Sequence, residues 1–413
     1  MNILYIAYSC DPYEGSEDKI GWCVPLQSAQ NNRVYVITKE EQRENIEKYL
    51  TTHNIEKLEY YFVDIPAIYK KVCKGFLYSG RLNVWHRRVL PLAERICKEK
   101  QIDIIHQITP IEFRAIGDYD RLHNAKFVCG PLGGGEQLPR GLKEYARGHN
   151  TVEMLRELVN RWCKASLKRT NKLSRCDYVM FANQETQRFL ASDLQIESVN
   201  NLFFDNGLRN DELLSEEDID RKRVAMSQSA YCTFLVAGRM IYRKGHAFLL
   251  DALEQIPENL EYECRIVGGG PELKRLEERC RRSDKLAKHV VFTGLIPYDQ
   301  MQSEYAKADV FVMPSIRETT GTVLLESMSR GIPIITINKF GGAVLLDSDT
   351  GWLYDGEDKV LYINGLKNAI IECIQNPGEV RRRGENARMK AEQYTWEQKD
   401  QYYQSVYNNL MYR

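Results

Sequence analysis

The feature that most restricts the fold of this chain is the spacing of its short apolar runs. In the first half these are "NILYIAYS" (2–9), "RVYVIT" (33–38), "LEYYFVDI" (58–65), "IDIIHQI" (102–108), "AKFVCGP" (125–131) and "DYVMFAN" (177–183). In the second half they are "CTFLVAG" (232–238), "ECRIVGG" (263–269), "VVFTG" (290–294), "DVFVMPS" (309–315) and "IPIITIN" (332–338). Longer amphipathic segments such as "GHAFLLDALEQI" and "ELKRLEERCRRS" lie between them. Short β-branched runs alternating with helical segments predict α/β architecture, with parallel strands flanked by helices. Each half shows the same unit type. Ligands of such sheets bind beyond the carboxyl ends of the strands, so a cleft between two facing units is the place to search.

A turn at Asn206-Gly207, followed by a polar stretch, interrupts the pattern. The expected domains are therefore 1–208 and 209–395, and "TWEQKDQYYQSVYNNLMYR" adds a tyrosine-rich helix over 396–413. At 413 residues the chain exceeds what one core usually spans. A formal net charge of zero argues against a chain-wide nucleic-acid surface. Eleven cysteines without a CxxC pair or metal-ligand spacing read as reduced thiols of a cytosolic protein. The opening "MNILYIAYSC" lacks a basic leader and reads as a first strand, and no apolar run is long enough to span a membrane.

Two strand-to-helix loops of the second half carry the chemistry. "VAGRMIYRKGHAFLLDAL" (236–253) turns at Gly238 and delivers Arg239 and Lys244, two cations that suit a diphosphate. Surface charge at such a loop accounts for this pattern equally well. "RETTGTVLLESMSRGIP" (317–333) sets Glu318 and Glu326 astride the start of a helix, with Thr320, Gly321 and Thr322 between them. A helix start favours anions, and Gly321 lets backbone approach a ligand closely. Carboxylates there make sense beside a diphosphate if they serve neutral hydroxyls, one the hexose and one the ribose of a sugar nucleotide. By spacing alone, two solvated glutamates near a helix start fit as well.

The ordered set "GRMIYRKG", "IVGGGPEL", "VVFTGLIP" and "PSIRETTGTVLLESMSRGIPIITINKFGGAVLLDSDTGWLY" resembles the retaining GT-B glycosyltransferases of family four, glycosyl transferases group 1. "YEGSEDKIGW" (13–22), "DIIHQITPIEFR" (103–114) and "FVCGPLGGGEQLP" (127–139) extend the resemblance across almost the whole chain. It implies a GT-B fold: two facing Rossmann-like domains, a deep cleft, and a C-terminal helix crossing back onto an acceptor-binding first domain. It also implies that Arg239 and Lys244 neutralise the donor diphosphate. Glu318 then contacts the donor sugar and Glu326 the ribose, with Thr320, Gly321, Thr322 and Val323 lining the donor pocket. Ile296 falls where the family's backbone meets the nucleobase, Gly15 and Ser16 where a glycine-rich loop approaches the phosphates, and His106 beside the reacting sugar. The family often carries Phe-Gly where this chain has "TTG", a departure that bears on the sugar pocket.

Other segments divide between readings. His106 ends a buried run, where a structural hydrogen-bonder is the alternative to a catalytic group. Gly133, Gly134, Gly135 and Glu136 suit an acceptor loop or a phosphate cradle; the acceptor side is preferred. "VGGGPE" lacks the third glycine of a dinucleotide fingerprint, which argues against an oxidoreductase. Residues 69–100 and 140–176 each carry a net charge of +7 and include aromatics such as Phe76, Tyr78 and Trp85. Each reads either as a solvated face or as a surface for anionic membrane or a lipid-pyrophosphate acceptor.

The leading expectation is a retaining, metal-independent hexosyltransferase. It would use a nucleotide diphosphate sugar and no cofactor, and act on a glycan or glycolipid in cell-surface polysaccharide assembly. It would be cytoplasmic or peripheral at the inner membrane face and bind no nucleic acid. A nucleotide-sugar epimerase or hydrolase, or a non-catalytic sugar-nucleotide binder, is the alternative.

Overall fold

Among the described residues, thirteen strands form two parallel sheets, and in each the strand order reverses at its first strand. The computed structural model describes residues 1–122, 124–146, 148–191, 201–228, 231–297 and 300–412. The first sheet comprises β1 (Asn2–Ala7), β2 (Arg33–Lys39), β3 (Leu58–Val63), β4 (Ile104–Thr109), β5 (Lys126–Leu132), β6 (Tyr178–Phe181) and β7 (Asn201–Leu202), in the order β3-β2-β1-β4-β5-β6-β7. The second comprises β8 (Cys232–Ala237), β9 (Tyr262–Val267), β10 (Val290–Gly294), β11 (Val310–Met313), β12 (Ile334–Ile337) and β13 (Gly351–Tyr354), in the order β10-β9-β8-β11-β12-β13.

The central strands β1 and β4 are buried almost throughout because helices cover both faces of a parallel sheet. Ile3 through Ala7 are fully buried, and Ile3 pairs with Val34 on one side and Ile104 on the other. Two strands escaped the sequence reading. β7 is only two residues long, too short to show a run of its own, and β13 holds just Trp352, Leu353 and Tyr354 between Gly351 and Asp355.

The chain divides into two compact units, 1–136 with 152–207 and 396–413, and 137–151 with 208–395. Residues 137–151 group with the second unit because Leu138, Leu142 and Ala146 are buried in its core. Gly141 bridges to Asp358, and the His149 ring stacks on Tyr242 at 4.2 Å. In the first unit, the helix Tyr78–Lys100 buries Leu82, Trp85, Val89, Ala93 and Ile96 on one face of the sheet. The helices Glu17–Ser28 and Trp396–Met411 cover the other face. Tyr407, from the last helix, meets the Tyr5 hydroxyl of β1 at 3.2 Å. Among the described residues no helix is long and apolar enough to cross a membrane.

Candidate functional site

In the second sheet the order reverses between β8 and β11, the position at which open parallel sheets leave room for a ligand. The loops that follow these two strands are bound to each other. The amide of Ile316 donates to the Arg243 carbonyl at 2.9 Å. Gly245 has φ 72°, and a Cβ there would lie 1.5 Å from the Pro314 carbonyl oxygen, so only glycine permits the approach. The Tyr362 hydroxyl donates to the same oxygen at 2.6 Å.

This union brings Lys244 and Glu318 together as a close ion pair. The Arg243 guanidinium stands 3.6 Å from the other carboxylate oxygen. Burial alone would raise the Glu318 pKa, but Lys244 and then Arg243 outweigh it and hold the carboxyl below its ordinary value. Two cations around one ionised acid leave this loop pair net positive. Arg239, at the start of the same loop, is exposed.

Past Glu318, Thr320 is buried, Gly321 takes φ 85°, and the helix Thr322–Met328 begins. A Cβ on Gly341 would lie 1.9 Å from the Thr320 carbonyl oxygen, so the next loop closes directly over this one. Thr322 and Val323 are half-buried. Glu326, one turn in, accepts a 2.8 Å hydrogen bond from the Tyr305 hydroxyl. Arg330 lies over the Tyr305 ring at 4.6 Å and donates to the Glu326 carbonyl at 2.6 Å. Ile296 is half-buried just past β10. The glycine triplet of "VGGGPE" serves close packing. A Cβ on Gly268 would meet the Gly238 carbonyl oxygen at 2.1 Å, and one on Gly270 the Met240 carbonyl oxygen at 2.5 Å.

In the first unit, Gly15 and Ser16 are exposed in the loop after β1, with Ser16 at φ 57°. Glu17 follows and accepts from the Ile111 amide at 3.1 Å. Burial pushes its carboxyl up to about 7, against the lowering effect of that amide.

His106 lies in the core of the first unit. Its ring is fully buried, Nε2–H donates to the Gly130 carbonyl at 2.8 Å, and Nδ1 meets the Tyr407 hydroxyl at 2.6 Å. Burial lowers its pKa to about 3, so the ring is neutral, with one nitrogen bonded to β5 and the other to the last helix.

The loop from Gly133 to Glu136 is likewise packed into the first unit. Glu136 is 2% exposed, and its carboxylate accepts from Asn183 at 2.7 Å, Thr186 at 3.2 Å and the Gly134 amide at 3.0 Å, and pairs with Arg156 at 3.3 Å. Gly133 and Gly135 are buried with it, and Gly134 gives its carbonyl to Asn160 and Arg156. In the 69–100 segment Trp85 is a core residue, and Lys70, Arg81 and Lys100 pair with Glu41, Asp64 and Glu59.

Three residues join the candidates only in the structure: Arg243, Tyr305 and Glu17. Tyr305 carries no motif, Glu17 lies within "YEGSEDKIGW" beside the more conspicuous Gly15 and Ser16, and Arg243 stands next to Lys244 in "GRMIYRKG".

The family model for glycosyl transferases group 1 matches residues 219–390. A GDP-mannose-dependent alpha-(1-6)-phosphatidylinositol monomannoside mannosyltransferase of Mycolicibacterium smegmatis is 34% identical over 149 residues, which span 34% of this chain and 37% of that relative. Among solved structures, Anabaena HepE in complex with UDP superposes with a TM-score of 0.64 at 18% identity, over 99% of this chain and 100% of that one. Sucrose-phosphate synthase from Thermosynechococcus elongatus does so with a TM-score of 0.66 at 20% identity, over 99% of each chain. These likenesses assign the fold. Residues 219–390, the segment that carries Lys244, Glu318 and Glu326, match the model of the glycosyl transferases group 1 family, on a chain whose fold is GT-B.

Proposed function

We infer that this chain transfers a hexose-type sugar from a nucleotide diphosphate sugar to a glycan or lipid-linked glycan. On this reading the transfer proceeds with retention of configuration and without a metal, at the cytoplasmic side, in cell-surface polysaccharide or glycolipid assembly. The observation that carries the reading is the pairing of Lys244 with Glu318 where the second sheet reverses its order. The group 1 match over the same residues and the donor dependence named for the mannosyltransferase relative support it.

Charge develops on the diphosphate as the bond to the sugar breaks, and Lys244 and Arg239 are the cations that stabilise it. Glu318, held ionised by its neighbours, accepts hydrogen bonds from sugar hydroxyls, and Glu326 takes those of the ribose. Thr320, Gly321, Thr322 and Val323 line the sugar pocket, the backbone at Ile296 meets the base, and Gly15 and Ser16 approach the phosphates. Retention follows when the acceptor attacks the face that the diphosphate leaves, a phosphate oxygen taking the acceptor's proton.

A thermal-shift screen against UDP-, GDP- and ADP-sugars tests the donor, because a ligand of the native state raises the melting temperature. Product analysis with the responding donor then yields a glycosylated acceptor and free nucleoside diphosphate. A melting temperature unmoved by all three donors, or release of free sugar in the presence of acceptors, overturns the reading.

A further inference from the structure

The helix Asn150–Thr170 is built in the reverse sense from an ordinary surface helix. Its inward side buries Glu153 and Asn160 beside Cys163 and Leu167. The polar residues belong there because Asn160 and Arg156 hold the Gly134 carbonyl. Its outward side exposes Met154, Leu155, Leu158 and Trp162, the last at 73%. Leu155, Leu158 and Trp162 repeat at helical spacing and form one stripe. Beyond them Arg161, Lys168 and Arg169 are exposed, and no ion pair is formed by these three among the described residues. On the same layer of the sheet, the helix Ala67–Val72 buries none of its own residues and exposes Ile68 and Val72 beside Lys71 and Lys74.

We propose that the outward face of the helix Asn150–Thr170 docks on an anionic lipid surface. Leu155, Leu158 and Trp162 enter the interface while Arg161, Lys168 and Arg169 rest among the headgroups. Tryptophan is a residue of such interfaces, its ring apolar and its N–H able to bond at headgroup depth. The charge pattern selects this occupant over a second copy of the chain. The two acids of the helix, Glu153 and Glu157, are buried and half-buried, so a self-pairing would bring the three outward cations no acidic partner. The inference is independent of the transfer reading.

Trp162 also provides the test. Of the five tryptophans, Trp22, Trp85, Trp352 and Trp396 are buried, so a change in surface tryptophan emission reports Trp162. The full chain is titrated with vesicles of phosphatidylcholine alone and of phosphatidylcholine with roughly one third phosphatidylglycerol. Emission is expected to move to shorter wavelength with the anionic vesicles only, and cosedimentation to fall as salt rises. Replacing Arg161, Lys168 and Arg169 together by Gln is expected to weaken binding roughly a hundredfold, about fivefold per cation. Leu158→Ser with Trp162→Ser abolishes binding while the melting temperature stays within about 2 °C, as expected for exposed positions. Equal partition onto both vesicle types, an unmoved emission, or a vesicle-independent self-association that Trp162→Ser removes overturns the proposal.

Discussion

The Tyr305 hydroxyl donates to the carboxylate of Glu326 at 2.8 Å, from a ring that is itself 2% exposed and capped by Arg330. A buried phenol so placed fixes one oxygen of Glu326, and on the proposed reading the other takes the ribose. Tyr305→Phe keeps the ring and its packing but releases the carboxylate. A hydrogen bond to a charged group is worth about 1.5–3 kcal/mol, so donor KM is expected to rise about tenfold with kcat nearly unchanged. Steady-state kinetics with varied donor checks this. An unchanged donor KM would separate Tyr305 from donor binding.

Lys244 and Glu318 make the second prediction. On the proposed reading, Lys244→Ala takes away a cation from the departing diphosphate and is expected to lower kcat roughly a hundredfold or more. Lys244→Arg restores the charge but not the compact shape and is expected to recover only part of the rate. Circular dichroism establishes that both variants keep the fold. Near-native turnover in Lys244→Ala would remove the diphosphate role.

The third concerns the union of the two loops. A Cβ at Gly245 would fall 1.5 Å from the Pro314 carbonyl oxygen, a backbone atom that cannot swing aside. Gly245→Ala therefore separates the β8 and β11 loops, and with them Lys244 from Glu318. The expected cost is about 3 kcal/mol or more, together with loss of activity. Gly15→Ala makes the control, because no atom lies within 4 Å of a Cβ there. Equal melting temperatures for wild type and Gly245→Ala would show that the loops do not meet as described.

What was legible in the sequence follows from how locally each feature is encoded. Buried parallel strands announce themselves as apolar runs, which β7 is too short to form and which Gly351 and Asp355 cut to three residues in β13. Lys244 and Glu318 were visible because each sits directly after such a run. Their contact was not, since it depends on β8 and β11 being neighbours 74 positions apart. The role of His106 was hidden by distance of another order: its partner Tyr407 lies 301 positions away, on a helix whose docking no local pattern reports. A glycine-rich loop with an acid looks alike in sequence whether the acid faces a ligand or, as Glu136 does, Asn183, Thr186 and Arg156. Leu138, Leu142 and Ala146 declare that they are buried but not in which core.

The last prediction concerns the same C-terminal helix. Lys399 is 4% exposed, donates to the Phe204 carbonyl and lies 4.0 Å over the Phe203 ring. Burial lowers its pKa to about 7, against the opposing attraction of Asp205. The unfolded chain, with an ordinary lysine, holds that proton up to a pH near 10.5. Between the two values the unfolded state binds more protons than the native one, so this group makes stability rise with pH above about 7. Its contribution is lost as pH falls through 7. The limiting slope is about 1.4 kcal/mol per pH unit. Other buried groups titrate too, notably cysteines with raised pKa values, but they are common to wild type and a Lys399→Met variant and cancel in the difference. Urea unfolding of both chains at pH 7, 8 and 9 is therefore expected to show Lys399→Met gaining on wild type at the lower end, with the gap closing toward pH 9. A gap independent of pH would mean that the Lys399 ammonium is not desolvated where the last helix meets the first unit.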